Sequence, residues 1–112
     1  MKGTLNIFRL AFFVALVVGL GGLFHLYPMS RTLIDTHIVA GLIMLVTAIW
    51  LAIDTKATLV VVAAILIIAG GLIPILSTED SFTVRIVHIV ITLAAIGLVE
   101  MGIARFQRRK IS

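Results

Sequence analysis

Two histidines stand at matching places in this chain. His37 lies in TLIDTHIVAGLIML (Thr32–Leu45), and His88 lies in TVRIVHIVITLAAI (Thr83–Ile96). Each opens a His-Ile-Val tripeptide, with leucine three residues beyond it, inside a long apolar run. A polar or ionisable side chain is costly in hydrocarbon and marks a functional site by default. Two imidazoles could supply both axial ligands of one haem iron. They could instead simply hydrogen-bond to Thr36, Thr83 or lipid headgroups, or take another ligand such as chlorophyll or a metal. Zinc or copper needs three or four convergent donors, and the chain has three histidines in all. The third, His25, reads as an interfacial residue, with a bond to a propionate or replacement of an axial partner as its alternatives. The absence of cysteine removes disulfides, Fe–S clusters, covalent c-type haem and thiol nucleophiles. No catalytic triad, phosphate loop or metalloprotease motif is present.

Helices must position these residues. Of the 112 residues, 62% are hydrophobic and 12% charged, against about 25% charged in soluble domains. A spanning helix needs about 20 mostly apolar residues. Four stretches qualify, at 5–26, 33–53, 57–76 and 82–104, and they use nearly the whole chain. The runs are continuous rather than alternating, which excludes a transmembrane β-barrel. The expected fold is all-α: one integral membrane domain over 1–112, an up-down-up-down four-helix bundle. Its breaks are YPMSR, where proline stops the first helix, DTK, and STEDS, whose Ser/Thr side chains can cap the fourth. The first helix lacks a convincing small-x-small cleavage site, so it reads as retained rather than as a signal peptide.

Charge sets the orientation. Lys2, Arg9, Lys56, Arg105, Arg108, Arg109 and Lys110 fall on one face, with only Arg31 and Arg85 on the other. The positive-inside rule then puts both termini in the cytoplasm of a multi-pass cell-membrane protein. The net charge of +4 reflects topology. It is no nucleic-acid footprint, although RFQRRK can touch anionic lipid. Trp50 and Tyr27 mark the inner and outer aromatic belts.

A half-repeat links the histidines. With His37 aligned on His88, GGL at Gly21–Leu23 falls close to GGL at Gly70–Leu72. Helices one and two form one unit, helices three and four another, as in a parallel repeat. The two imidazoles then lie at similar depth on diagonal helices, with Gly22 and Gly71 in the same outer layer. Small residues share their faces: Ala40, Gly41, Met44 and Ala48 below His37; Thr92, Ala95 and Val99 below His88; Ala11, Ala15, Gly19 and Gly22 on helix one; Ala63, Ile67, Gly70 and Pro74 on helix three. Gly22, Gly41 and Gly71 leave room for a flat macrocycle. Arg85, one turn outward of His88, and Arg31, in the adjacent loop, suit its propionates. Such faces also pack membrane helices with no cofactor at all. Arg85 has alternatives too, in snorkelling to phosphate or pairing with Asp35 or Asp80. Glu100 reads as interfacial, near Lys56 or Arg105.

With His37 in THIVAGL and His88 in VHIVITL, the chain resembles membrane b-type cytochromes built on four-helix bundles. These include the cytochrome b561-like proteins and one half of haem A synthase, in which histidines of alternate helices hold haem. The resemblance implies His37 and His88 as axial ligands of one non-covalent haem b. Both axial positions filled favour electron transfer over oxygen chemistry. The expected function is single-electron relay between a quinol and a membrane or outer-face partner protein. The alternative is a structural or accessory subunit of a larger membrane complex, binding pigment or lipid. A small carrier or channel is disfavoured by the few polar residues in the inner half.

Overall fold

Four helices follow one another: α1 (Lys2–Leu23), α2 (Arg31–Thr55), α3 (Thr58–Leu76) and α4 (Phe82–Ile111). The computed structural model describes residues 2–26, 28, 30–77 and 82–111, and only the backbone of 110 and 111. All secondary structure among the described residues is helical. Each helix is long and apolar enough to cross a membrane, with mean hydropathy from 2.0 for α1 to 3.0 for α3. Between 22% and 33% of each apolar window is buried, so each helix hides one stripe and exposes the rest. The chain forms two compact units, Met1–Thr47 and Ala48–Ser112.

In the first unit, α1 lies beside the first part of α2, and the two helices jointly line a shallow apolar groove. α1 buries Leu5, Phe8, Ala11, Ala15 and Val18, a spacing of three to four residues that keeps one helix face inward. From α2, Ala40 and Met44 are buried. The predicted stop for α1 is the break before Pro28, yet the helix ends at Leu23. Its end is a Schellman closure: the His25 N–H donates to Gly22 O (3.3 Å) and the Leu26 N–H to Gly21 O (2.9 Å). His25 takes the left-handed conformation this requires, with φ 55°. α2 begins earlier than its apolar run because Ser30 caps it. The Ser30 Oγ accepts the Leu33 N–H at 3.2 Å, which satisfies one of the orphan donors of the first turn.

In the second unit, α3 packs along α4. α3 buries Val60, Ala63, Ala64 and Gly70, and α4 buries Ala95, Val99, Gly102 and Ile103. The end of α2 lies beside α3, lining a groove with it. The turn between them is locked by Thr55. Its hydroxyl donates to Leu51 O at 2.7 Å and accepts the Ala57 N–H at 3.2 Å. Lys56 adopts φ 53°, and Ala57 is extended, which restarts the chain into α3. The α3 end is closed by the Ser77 N–H on Ile73 O. The rest of STEDS, and any cap it gives α4, lies outside the described residues. α4 runs to Ile111, well past the predicted span end at 104. Arg, Gln and Lys are good helix formers, so charge can end an apolar span without ending the helix.

Candidate functional site

His37 is half-buried, six residues past the first residue of α2. Its Nδ1 lies 3.0 Å from the carbonyl oxygen of Ala15 in α1. One turn further along α1, Gly19 makes room for the ring. A Cβ added there would lie 3.1 Å from His37 Cε1 and 3.6 Å from Nδ1. Alanine would therefore press on the imidazole edge that faces α1.

His88 repeats this arrangement in the second unit. It too is half-buried and six residues past its helix's first residue. Its Nδ1 lies 2.8 Å from the carbonyl oxygen of Gly70 in α3. Gly70 keeps the helices close, since a Cβ there would meet Ile91 Cγ2 at 3.0 Å. One turn below, the Thr92 hydroxyl donates to His88 O at 2.8 Å.

Both bonds carry chemical information. A backbone carbonyl can only accept, so Nδ1 must donate in each case. The neutral ring is then the Nδ1–H tautomer, with its lone pair on Nε2. Metal-ligating histidines commonly have this form, one nitrogen donating to a carbonyl and the other coordinating. The Thr36 hydroxyl donates to Thr32 O at 2.8 Å, within its own helix.

The remaining expected site residues fall as follows. Arg85 is half-buried and lies one turn before His88 on α4, while Arg31 is the exposed first residue of α2. Gly41 and Gly71 both open onto space, with nothing within 4 Å of an added Cβ. Gly22 lends its carbonyl to the closure of α1. His25 is exposed at that closure. Glu100 is half-buried, and Lys56 and Arg105 are exposed. Trp50 is 59% exposed. Among the described residues, no three His, Cys, Asp or Glu side chains come together to hold a metal ion. The donors for a bare zinc or copper ion are not assembled there.

Sequence reading found both imidazoles but not their acceptors. The half-repeat aligns Gly70 with Gly21, which would match Ala15 to Ala64. The acceptor in the second unit is Gly70 instead. The two units thus repeat a role, histidine onto the preceding helix's backbone, without repeating its register. A carbonyl acceptor leaves no side-chain signature, so Ala15 and Gly70 were visible only as small residues. In comparisons with known proteins, the chain matches no family model, no curated protein and no solved structure.

Proposed function

We propose that this protein is a multi-pass membrane cytochrome of b type. It holds one non-covalent haem through His37 and His88, and passes single electrons between a membrane quinol and a membrane or outer-face partner. The observation that carries this reading is the shared anchoring of the two rings. Each Nδ1 donates to a backbone carbonyl of the preceding helix, which is the tautomer that iron-ligating histidines commonly take. Two neutral imidazoles of this tautomer fit a bis-histidine iron, and no cysteine competes for it. A haem held by these two histidines would supply a one-electron couple. The chain's own residues bind and orient. Ala15 and Gly70 orient the rings, Gly22, Gly41 and Gly71 would leave room for the macrocycle, and Arg85 and Arg31 would meet its propionates.

Membrane insertion as an up-down bundle is part of the same proposal. Ile7, Leu10, Phe13 and Val17 of α1 are each about half exposed or more, as are Val39, Leu42, Val46 and Ile53 of α2. Apolar surface of this extent suits lipid rather than water. The seven-to-two distribution of Lys and Arg supports a cytoplasmic location for both termini. A C-terminal reporter that is active only outside the cytoplasm should therefore stay silent.

The same two hydrogen bonds favour a second reading, because interhelical bonds from histidine also tie membrane helices together. The protein would then be an accessory subunit of a larger membrane complex. An optical spectrum separates the two. Full-length protein reconstituted with haem should show the sharp reduced bands of a low-spin bis-histidine cytochrome. His37→Ala or His88→Ala should lose haem or leave it five-coordinate. A wild-type protein that takes up no haem while both variants merely unfold more easily would favour the accessory subunit.

A further inference from the structure

Pro74 lies inside α3, four residues past Gly70. In an α-helix the carbonyl of residue i receives the N–H of residue i+4. Proline has no N–H, and its ring crowds the carbonyl of residue i−4. Here that carbonyl belongs to Gly70, and it is the one on which His88 Nδ1 sits at 2.8 Å. The imidazole donor arrives at the one α3 carbonyl whose helical donor proline removes. Glycine at 70 lets α4 come close enough for the bond, given the 3.0 Å that separates a Cβ there from Ile91 Cγ2.

We infer that Pro74 is a positioning residue for His88. By removing the helical donor to Gly70 O, it gives that carbonyl to the imidazole, and so fixes the Nδ1–H tautomer, with the lone pair on Nε2. The value of this for electron transfer rests on reading His88 as an axial ligand; the tautomer itself does not. The first unit holds its histidine differently. The residue four beyond Ala15 is Gly19, which keeps its N–H, so the helix still competes for the Ala15 carbonyl. Glycine there supplies space rather than a vacant acceptor, and the His37 contact is the longer of the two at 3.0 Å. The fold therefore prepares two unequal ligands. The one with undivided access to its carbonyl has the more strongly polarised N–H, which makes Nε2 the more basic.

The test uses full-length protein labelled with 15N-histidine, in lipid nanodiscs, without haem, at a pH where the imidazoles are neutral. Nitrogen shifts and couplings then report the tautomer of each ring. Wild-type His88 should be the Nδ1–H form. In Pro74→Ala the restored N–H competes for Gly70 O. The His88 tautomer ratio should move about five-fold toward Nε2–H, the worth of one neutral hydrogen bond. His37 should not change. Gly19→Ala should do the converse, moving the His37 signals and leaving those of His88. Pro74→Leu restores the same N–H on a larger apolar side chain and should repeat the Pro74→Ala result, so the outcome does not hang on how one substitution packs. With haem bound, Pro74→Ala should keep a low-spin spectrum and raise the reduction potential. An unchanged His88 tautomer in both proline variants would overturn the inference. So would a joint shift of His37 and His88, or a wild-type His88 in the Nε2–H form. A tautomer shift in protein that takes up no haem would sustain the inference and sink the cytochrome reading alone.

Discussion

Gly102 of α4 meets Val60 of α3 so closely that an added Cβ would lie 2.8 Å from Val60 Cγ2 and 3.3 Å from the Val60 backbone nitrogen. Leu59 Cβ would be 3.2 Å away. A flexible side-chain tip could turn aside, but a backbone nitrogen in the first turn of a helix cannot. Gly102→Ala should therefore push α3 from α4, at a cost of about 1–3 kcal/mol, as overpacking usually costs. Gly97 gives the control on the same helix, because nothing lies within 4 Å of its added Cβ. Gly97→Ala should be neutral, or stabilising by up to about 1 kcal/mol through helix propensity. Thermal unfolding of the two variants in one detergent measures the difference. Equal midpoints would mean that this contact gives way freely.

His25 should prove to be a residue of shape rather than of chemistry. Its φ of 55° and the paired bonds to Gly21 and Gly22 make it the left-handed residue of a helix closure. That position favours glycine, because a side chain there costs roughly 1–2 kcal/mol. His25→Gly should hold or raise the melting temperature and leave the haem spectrum unaltered. His25→Val, β-branched and less tolerant of positive φ, should lower the melting temperature. Loss of haem in His25→Gly would make this histidine a ligand after all.

These two sites show what could be read in advance. The four helices followed from apolar runs and short polar breaks, because a span's length and composition are set by its solvent. Their ends did not follow as well. Pro28 looked like the stop for α1, but the backbone closes earlier around a histidine, where neither glycine nor asparagine signals the turn. The α4 end was hidden because charge and helix propensity disagree in RFQRRK. Both imidazoles were legible as polar groups in apolar runs. Their carbonyl partners were not, with one exception in principle: a proline four residues after Gly70 marks a carbonyl without its helical donor. Gly102 was illegible because its role depends on how α3 and α4 approach one another, which no local pattern records.

Gly41 and Gly71 separate a cofactor slot from ordinary packing. Nothing lies within 4 Å of a Cβ added at either position, so alanine there should leave the haem-free protein as stable as wild type or slightly more so. If the ring system fills that space, the same methyl group overpacks the loaded protein. Haem affinity should then fall about tenfold, within the usual range of overpacking costs. Haem titration of each variant beside its melting curve gives both readings. Unchanged affinity in both would move the slot away from these glycines.

Arg85 carries the last expectation. It is half-buried, one turn before His88 on α4, where its charge would act on the iron from the propionate side. A cation near the ring favours the reduced, less positive iron. A unit charge near the ring edge, at an effective dielectric of about 20, acts with on the order of 1 kcal/mol, or roughly 40 mV for one electron. Arg85→Gln keeps a polar side chain of similar reach and removes the charge, so haem should stay bound while its potential falls by about that amount. Arg85→Lys restores the charge and should recover most of the loss. Arg31 is exposed, and solvent screening should make Arg31→Gln the weaker change. Redox titration of the three variants in the same membrane mimetic makes the comparison. A potential indifferent to Arg85→Gln would place the haem edge elsewhere and leave Arg85 to the lipid phosphates.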